Sequence, residues 1–458
     1  MNKKRLPKST YPNRYEIELD VDLDNFSYTG AQKVDLNVVE ATNNIVLNSV
    51  GIEVTKAKIQ TTKQDIPLEV NYIEEDEKIV FESQETLSEG VYELYLEFNS
   101  EITNDLKGFY KSSYMSEDGE KKWIATTQFE PTAARSAFPC WDEPEYKAIF
   151  SMTIITDEKY LRVSNEMVVE EEKVENNKLR TKFADSMKMS SYLVAFVIGD
   201  LEATVVGKSK TTDIRIIHRP GFSHQTSYAG TAAIKLLDFF EDYYKIPYPG
   251  TKLDLIAIPD FAMGAMENVG AVTFRENLLL FDKDKATRSE LDRSITVIAH
   301  ELAHMWFGDL VTMKWWDGIW LNEAFASLME VIASYNTYPE FKQWNAMNMS
   351  RTAGFSIDSL ENSRPVEFDV ETPDQAEEMF DVLTYEKGST VLRMFQMFIG
   401  EEAFQNGVEA YLNKFKFENT NSSDLWDALS EASNQPLNKI LPFWIREKGY
   451  PFLQVDCS

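Results

Sequence analysis

The period of the apolar residues changes near residue 205, and this change constrains the fold more than any other feature of the sequence. Before it, apolar and polar residues alternate, and "YEIELDVDL" places five apolar residues on one face of a strand: Tyr15, Ile17, Leu19, Val21 and Leu23. Segments 33–39 and 92–98 repeat this pattern, which is typical of half-buried strands. After it, residues 229–246 carry apolar residues at helical spacing and end before Pro247. The sequence therefore predicts a multidomain α+β protein.

The length of the chain indicates more than one domain, because 458 residues are too many for a single core. We predict an antiparallel β saddle or sandwich over residues 1–207. A mostly helical domain is expected to follow over residues 208–448. Residues 449–458 are expected to begin a further domain that is absent from this chain.

Within the helical part, three elements can be predicted with their positions. A strand is expected at residues 253–258, where the sequence reads "LDLIAI". A helix should then begin with Ser289 as its N-cap and end near Gly308, since glycine commonly follows the last helical turn. A second helix should contain residues 322–335.

The charge balance and the cysteine count exclude several classes of protein. The chain has 46 basic and 75 acidic residues, a formal net charge of −29, whereas nucleic acids and anionic membranes attract positive surfaces. We expect neither as a partner. The most apolar runs fall short of the ~18–20 residues that span a bilayer, and the basic N-terminus lacks the apolar core of a signal peptide. Two cysteines, Cys140 and Cys457, are too few for a disulfide framework, so we expect a soluble cytoplasmic protein.

Two of the four histidines, His300 and His304, lie four residues apart in "HELAH". On a helix this spacing puts both side chains on one face, close enough to hold a single ion. Neutral imidazole is a good zinc ligand, and a catalytic zinc usually takes three protein ligands and a water. Glu323 follows His304 after eighteen intervening residues, on the second predicted helix, and is the candidate third ligand. Zinc, at one ion per chain, is therefore the predicted cofactor.

Two other interpretations of this histidine pair remain open. A pair of histidines on an apolar helix is often part of a packed core, and two histidines with one carboxylate can also bind iron. An H-E-x-x-H motif arises by chance in a chain of this composition on the order of a few times in a thousand, which favours a metal site. Its spacing is that of the zinc hydrolases, which favours zinc over iron.

Glu301, beside the first histidine, is the candidate general base. It cannot easily bind the same ion, but it can reach a water molecule bound there. Zinc lowers the pKa of its water to roughly 7, which provides a nucleophile at neutral pH. A carbonyl attacked by this nucleophile develops negative charge on oxygen and needs a further donor. The chain has 20 tyrosines, and spacing alone does not identify the donor among them.

Four stretches resemble the aminopeptidase N family of zinc metallopeptidases, the gluzincins with a thermolysin-like catalytic domain. They are "HELAH" with "NEAFA", "GAMEN" at 264–268, "TYEKGSTVLRM" at 384–394 and "QFEPTAARSAFPCWDEP" at 128–144. In order and spacing the similarity covers essentially the whole chain, and it is nearest to the intracellular and archaeal members that act after the tricorn protease. The resemblance implies that the helical domain is thermolysin-like. It also implies an aminopeptidase that removes the first residue from peptides with a free N-terminus.

The resemblance gives each matching residue a role. Glu267 and Glu130 would bind the free α-ammonium of the substrate, and Tyr385 would stabilise the oxyanion. Gln128 and Met263 would line the pocket for the first side chain of the substrate. The backbone of Gly264 and Ala265 would pair with the peptide as an added strand does. Two carboxylates at a fixed distance from zinc would admit chains whose amine lies one residue from the scissile bond.

Two alternative functions remain open from the sequence. The first is a zinc endopeptidase, which the amine-binding glutamates disfavour. The second is a catalytically weak two-domain fragment that mainly binds peptides, which would follow if the expected further domain is required for activity. It is disfavoured because the three ligands, the base and the tyrosine are all present.

Overall fold

A computed structural model describes residues 5–61, 64–452 and 454–456 of the chain. Its first part consists of strands joined by turns and short 3₁₀ helices, as the alternating apolar pattern predicts. Strands β1 to β14 are Thr10–Asp22, Ser27–Val38, Thr42–Asn48, Glu53–Gln60, Ile66–Ile73, Lys78–Leu87, Gly90–Glu101, Gly108–Met115, Lys121–Gln128, Ile149–Asp157, Leu161–Ser164, Val168–Lys173, Lys178–Asp185 and Phe196–Gly199.

Ten of these strands form one sheet, in the order β12-β13-β10-β1-β2-β7-β4-β5-β6-β3, and the other four form a second sheet, in the order β11-β14-β9-β8. Within the described residues, neighbouring strands of both sheets run antiparallel, except that β1 and β10 are parallel. A parallel pair requires a long crossover, and β2 to β9 provide it. The predicted β-rich N-terminal part is therefore confirmed, with one parallel pair that alternation alone does not indicate.

The core face of β1 shows why this region folds as strands. The five apolar residues predicted to share a face, Tyr15 to Leu23 at alternate positions, are at most 4% exposed. Burying a side chain of this size stabilises a fold by roughly 1.5–3 kcal/mol relative to leaving it in water. The ring of Tyr15 also stacks on Phe150 of β10, with centroids 4.8 Å apart. A shift of the strand by one residue would expose this whole face to solvent.

A third sheet follows the first two in the sequence. Its strands β15 to β19 are Glu202–Ser209, Thr212–His218, Lys252–Ile258, Ala265–Met266 and Ala271–Arg275, in the order β15-β16-β17-β19-β18. The middle strands β16, β17 and β19 are parallel, and all seven residues of β17 are buried, as expected for a parallel strand covered on both faces. The two-residue strand β18 lies antiparallel to β19 at the edge of this sheet.

Helices dominate the second part of the chain, which confirms the predicted change in architecture. Helices α1 to α9 are Ser227–Tyr244, Arg288–His304, Ile319–Thr337, Gln343–Asp358, Pro373–Glu378, Gly388–Ile399, Glu401–Phe415, Ser422–Ser433 and Leu437–Ile445. A π-helix, Leu383–Lys387, immediately precedes α6. Strands β20, Thr312–Met313, and β21, Asn419–Thr420, form a short parallel pair. Among the described residues, none of the helices is both long and apolar enough to cross a membrane.

By their internal contacts the residues divide into two units. Unit 1 contains Met1–Ile234 and Tyr248–Ser294, and unit 2 contains Lys235–Pro247 and Ile295–Ser458. Unit 1 thus extends beyond residue 207, because β17 to β19 complete a sheet that β15 and β16 begin. The boundary at residue 207 follows the change in sequence pattern and stays a prediction. Residues 453, 457 and 458 of the predicted segment 449–458 lie outside the described residues.

The N-cap predicted for α2 is wrong. Ser289 lies inside the helix, and Thr287 caps it instead, since the hydroxyl of Thr287 accepts from the backbone N–H of Glu290 at 3.3 Å. In return, the backbone N–H of Thr287 donates to the carboxylate of Glu290 at 2.7 Å. This reciprocal pair is a capping box, a threonine followed three residues later by a glutamate. Ser289 and Thr287 both carry a hydroxyl group, and the glutamate three residues after Thr287 completes the capping box only with Thr287.

Candidate metal centre

Helices α2 and α3 bring together the three side chains predicted to bind zinc. His300, His304 and Glu323 each offer a nitrogen or oxygen within 4.8 Å of the others. The Nε2 atoms of His300 and His304 lie 3.1 Å and 3.4 Å from the same oxygen, Oε2 of Glu323. The histidines are one helical turn apart on α2, which places their rings side by side with centroids separated by 4.7 Å. All three side chains are at most 13% exposed.

The outward-facing nitrogen of each histidine ring is held by a hydrogen bond. The Nδ1 of His300 donates to the carboxylate of Glu330 at 2.8 Å, and the Nδ1 of His304 donates to the carbonyl of Phe307 at 2.9 Å. A carbonyl can only accept, so Nδ1 of His304 carries the hydrogen. In a neutral ring this leaves the lone pair on Nε2, which points toward Glu323. Metal-binding histidines are generally fixed in this way.

The electrostatics of the cluster favour positive charge between these side chains. Burial by itself lowers the pKa of His300, but its hydrogen bonds with Glu323 and Glu330 outweigh this and raise the pKa well above its ordinary value. Burial by itself raises the pKa of Glu323, yet His304 and His300 lower it. Two imidazole nitrogens and one carboxylate oxygen with this charge preference suit a divalent cation, and this donor set suits zinc.

A glycine allows the close approach of His304 to the loop that follows α2. A β-carbon on Gly308 would lie 3.3 Å from Nδ1 of His304 and 3.4 Å from the side-chain nitrogen of Asn322. The φ angle of Gly308 is +137°, a conformation that other residues rarely adopt. This glycine therefore fits both the backbone geometry and the space beside the histidine. The hydrogen bond from His304 to the carbonyl of Phe307, the preceding residue, depends on the same turn.

The predicted base and the predicted oxyanion donor both belong to unit 2, as the three predicted zinc ligands do. Glu301 lies on α2 between the two histidines and is 5% exposed. Tyr385 lies in the π-helix, half-buried, and its ring centroid is 6.0 Å from that of His300 with an interplanar angle of 24°. Single π-helical turns occur often at functional sites. The sequence pattern gave no sign of this turn, which adds one residue to an otherwise α-helical segment.

In unit 1 the structure brings together the two glutamates expected to bind an amine. Glu130 and Glu267 are 6% and 3% exposed, and their carboxylates each have an oxygen within 4.8 Å of the other. Gln128, at the end of β9, is also buried, and its amide donates to the sulfur of Met266 at 3.4 Å. Two buried carboxylates so close together repel each other unless a cation or a proton lies between them. A cationic group is therefore well matched to this pair.

The residues expected to pair with a peptide backbone lie along the edge of the third sheet. Ala265 belongs to β18, and the carbonyl of Gly264 accepts from the N–H of Arg275 on β19 at 2.9 Å. Because β18 is the edge strand, its other side can accept an added strand. Met263 is 39% exposed, just before this edge.

One residue of the candidate metal centre was not predicted from the sequence. Glu330 is hydrogen-bonded to Nδ1 of His300, yet it lies outside every motif quoted from the sequence. It follows Glu323 by seven residues, which is two turns of the same helix, so both side chains lie on one face of α3. That spacing was a usable signal, because an acidic residue on an apolar helix face needs a partner.

Comparisons with known proteins cover both parts of the chain. The family profile described as "Peptidase M1 N-terminal domain" matches residues 11–193, and that described as "Peptidase family M1 domain" matches residues 228–444. Aminopeptidase M1 of Arabidopsis thaliana is 42% identical over 98% of this chain and 51% of its own length. Aminopeptidase 2 of Candida albicans is 40% identical over 98% of this chain and 48% of its own length. The puromycin-sensitive aminopeptidase of Caenorhabditis elegans is 38% identical over 99% of this chain and 48% of its own length.

The chain spans about half the length of each of these relatives. Within that half, the identity extends over both units, and the two family profiles match in the order in which they follow each other here. The parts of the chain before and after residue 207 thus both match the same family of peptidases. On this evidence the chain belongs to peptidase family M1.

Proposed function

We propose that the chain is a zinc-dependent aminopeptidase that hydrolyses the first peptide bond of peptides with a free N-terminus. The observation that carries the proposal is the cluster of His300, His304 and Glu323, in which both histidine rings turn Nε2 toward one carboxylate oxygen. The hydrogen bonds from Nδ1 to Glu330 and Phe307 give both rings the orientation that ligands need. Family membership supports the same reaction.

His300, His304 and Glu323 would hold one zinc ion. When bound, zinc polarises the scissile carbonyl and makes a water molecule nucleophilic near neutral pH. Glu301 lies between the two histidine ligands in the sequence, where its carboxylate takes the proton of the attacking water and passes it to the leaving amine. The phenol of Tyr385 donates a hydrogen bond to the carbonyl oxygen as negative charge develops on it.

Glu130 and Glu267 would bind the α-ammonium of the substrate. Their proximity supports this role, because a positive group between two buried carboxylates relieves their mutual repulsion. The backbone of Gly264 and Ala265 would pair with the substrate along the free edge of β18. Gln128 and Met263 would line the pocket for the first side chain of the substrate, as the resemblance implies.

The proposal is tested by a panel of aminoacyl chromogenic substrates and short peptides, each with a free or an acetylated N-terminus. We expect release of single residues from free N-termini, loss of turnover with a chelator, and no turnover in Glu301→Gln with its zinc content unchanged. Cleavage of acetylated peptides at internal bonds would instead indicate an endopeptidase. Peptide binding without turnover in the zinc-loaded chain would show that it acts as a peptide-binding fragment.

A further inference from the structure

The π-helix that carries Tyr385 ends in a buried lysine that is fully hydrogen-bonded. The side chain of Lys387 is 8% exposed, and its Nζ lies 2.9 Å from Oδ2 of Asp358, the last residue of α4. The same ammonium donates to the carbonyls of Glu447 and Gly449, at 3.1 Å and 3.0 Å. With three acceptors for its three hydrogens, Lys387 is held in one position.

Asp358 is fixed as firmly as its partner. It is 3% exposed, and its second oxygen, Oδ1, accepts from the hydroxyl of Ser363 and from the backbone N–H of Gly449, both at 2.8 Å. Gly449 therefore donates to the aspartate and accepts from Lys387. The segment 447–449 is thus tied to the π-helix through a buried ion pair.

A second set of contacts holds the start of the π-helix. Oδ1 of Asp381 accepts from the backbone N–H groups of Leu383 and Thr384, at 2.9 Å and 3.0 Å. The guanidinium of Arg364 donates to the same oxygen at 2.6 Å and to the hydroxyl of Thr384 at 3.1 Å. Tyr385 lies between these two anchors, one residue after Thr384 and two before Lys387.

Close packing limits how far this turn can shift sideways. A β-carbon on Gly388, the residue after the π-helix, would lie 2.6 Å from the β-carbon of Ala324, which follows the candidate ligand Glu323 on α3. On the other side, Gly354 of α4 lies against the turn, and a β-carbon there would be 3.5 Å from the backbone nitrogen of Lys387. The turn is therefore packed tightly against α3 at Gly388 and is in ordinary contact with α4 at Gly354, while Lys387 ties it to the end of α4 through Asp358.

We infer that Lys387, with Asp358 and the segment 447–449, is a positioning residue that fixes the phenol of Tyr385 in its catalytic place. The inference rests on the proposed function, since Tyr385 matters only if it serves the reaction. Displacement of a catalytic group by about 1 Å can lower the rate by about 10²-fold. Loss of one oxyanion donor lowers it by about 10²–10³-fold, which sets the upper limit for an effect exerted through Tyr385.

The test is a double-mutant cycle of Lys387→Met and Tyr385→Phe in the zinc-loaded chain. We expect Lys387→Met to lower kcat by about 10–100-fold, to change KM by less than about threefold and to keep its zinc. On the Tyr385→Phe background, the same substitution should lower kcat by less than about twofold, because its effect passes through the missing phenol. Lys245→Met, which removes an exposed ion pair with Glu409 in unit 2, is the matched control and should leave kcat unchanged.

Lys387→Met leaves Asp358 buried without its partner and could prevent folding, so the cycle is repeated with Asp358→Asn and Lys387→Met combined, which leaves no unpaired charge. Equal losses of kcat with and without the phenol would overturn the inference, because they indicate a general structural effect. An unchanged kcat in Lys387→Met would overturn it as well. A wild-type chain that binds zinc but turns over no substrate would overturn the proposed function, and this inference with it.

Discussion

Glu330 should contribute to zinc affinity through His300, the proposed ligand to which it is hydrogen-bonded. Its carboxylate accepts from Nδ1 of His300 at 2.8 Å, and its side chain is 23% exposed. A hydrogen bond to a charged group is worth about 1.5–3 kcal/mol, and partial exposure places this one toward the lower end. At 1.4 kcal/mol per decade, Glu330→Ala should weaken zinc binding by roughly 10–100-fold. The substitution also frees the ring of His300 to rotate away from Glu323.

The assay is zinc competition against a chromogenic chelator of known affinity, at constant pH. Glu330→Gln should lose less affinity than Glu330→Ala, because the amide oxygen still accepts from His300 but carries no charge. Glu409→Ala, which removes an exposed carboxylate of unit 2 paired with Lys245, is the control and should bind zinc as the wild type does. A zinc affinity of Glu330→Ala within threefold of the wild type would refute the reasoning.

Three further predictions concern packing, substrate recognition and stability. Gly388→Ala should lower kcat, because its new methyl would lie 2.6 Å from a side chain of α3. Gly354→Ala, whose new methyl would lie 3.5 Å from its nearest neighbours, should leave kcat unchanged. Equal kcat values in the two variants would count against close packing between Gly388 and α3. In the wild type we expect free N-termini to be preferred over acetylated ones by about 10³-fold or more in kcat/KM, since two charge-assisted hydrogen bonds contribute about 1.5–3 kcal/mol each. Glu267→Ala should keep its zinc but lose most of this preference. A mutant that discriminates as strongly as the wild type would exclude this role of Glu267. Burial alone raises the pKa of Asp254, but Lys252 at 2.8 Å and a neighbouring arginine outweigh burial and lower this pKa below its ordinary value. The ionised carboxylate therefore stabilises the folded state at any pH above the unfolded pKa of about 3.9. This stabilisation is lost as the pH falls through the lower pKa of the folded state. Asp254→Asn should therefore lower the free energy of unfolding at pH 7 by about 3–5 kcal/mol and lessen the acid sensitivity below about pH 4, as measured by urea unfolding at several pH values; unchanged stability would show that the pair contributes nothing.

The motif on α2 could be predicted because its geometry is local. Helical spacing alone puts His300 and His304 on one face, and the structure agrees. Glu323 lies on another helix, so its approach to the histidines depends on the fold of the intervening loop, and the sequence could only suggest it. Glu330 was within reach of the same helical reasoning, since it follows Glu323 by two turns of α3.

Features that depend on distant contacts could not be predicted. The pairing of β1 with β10 joins residues such as Ile17 and Met152, which are far apart in the sequence, and alternation carries no information about it. The end of the π-helix around Tyr385 likewise contacts Asp358 and segment 447–449, which are distant in the sequence, and the local pattern carries no information about these contacts.

The most direct test is turnover measured as zinc is added in steps to metal-free protein. We expect the release of N-terminal residues from peptides to rise in proportion to bound zinc and to level off at one ion per chain. Glu323→Ala should remain near the background at every step. Turnover in the metal-free chain, or none at full occupancy, would contradict the claim that His300, His304 and Glu323 hold the ion on which peptide hydrolysis depends.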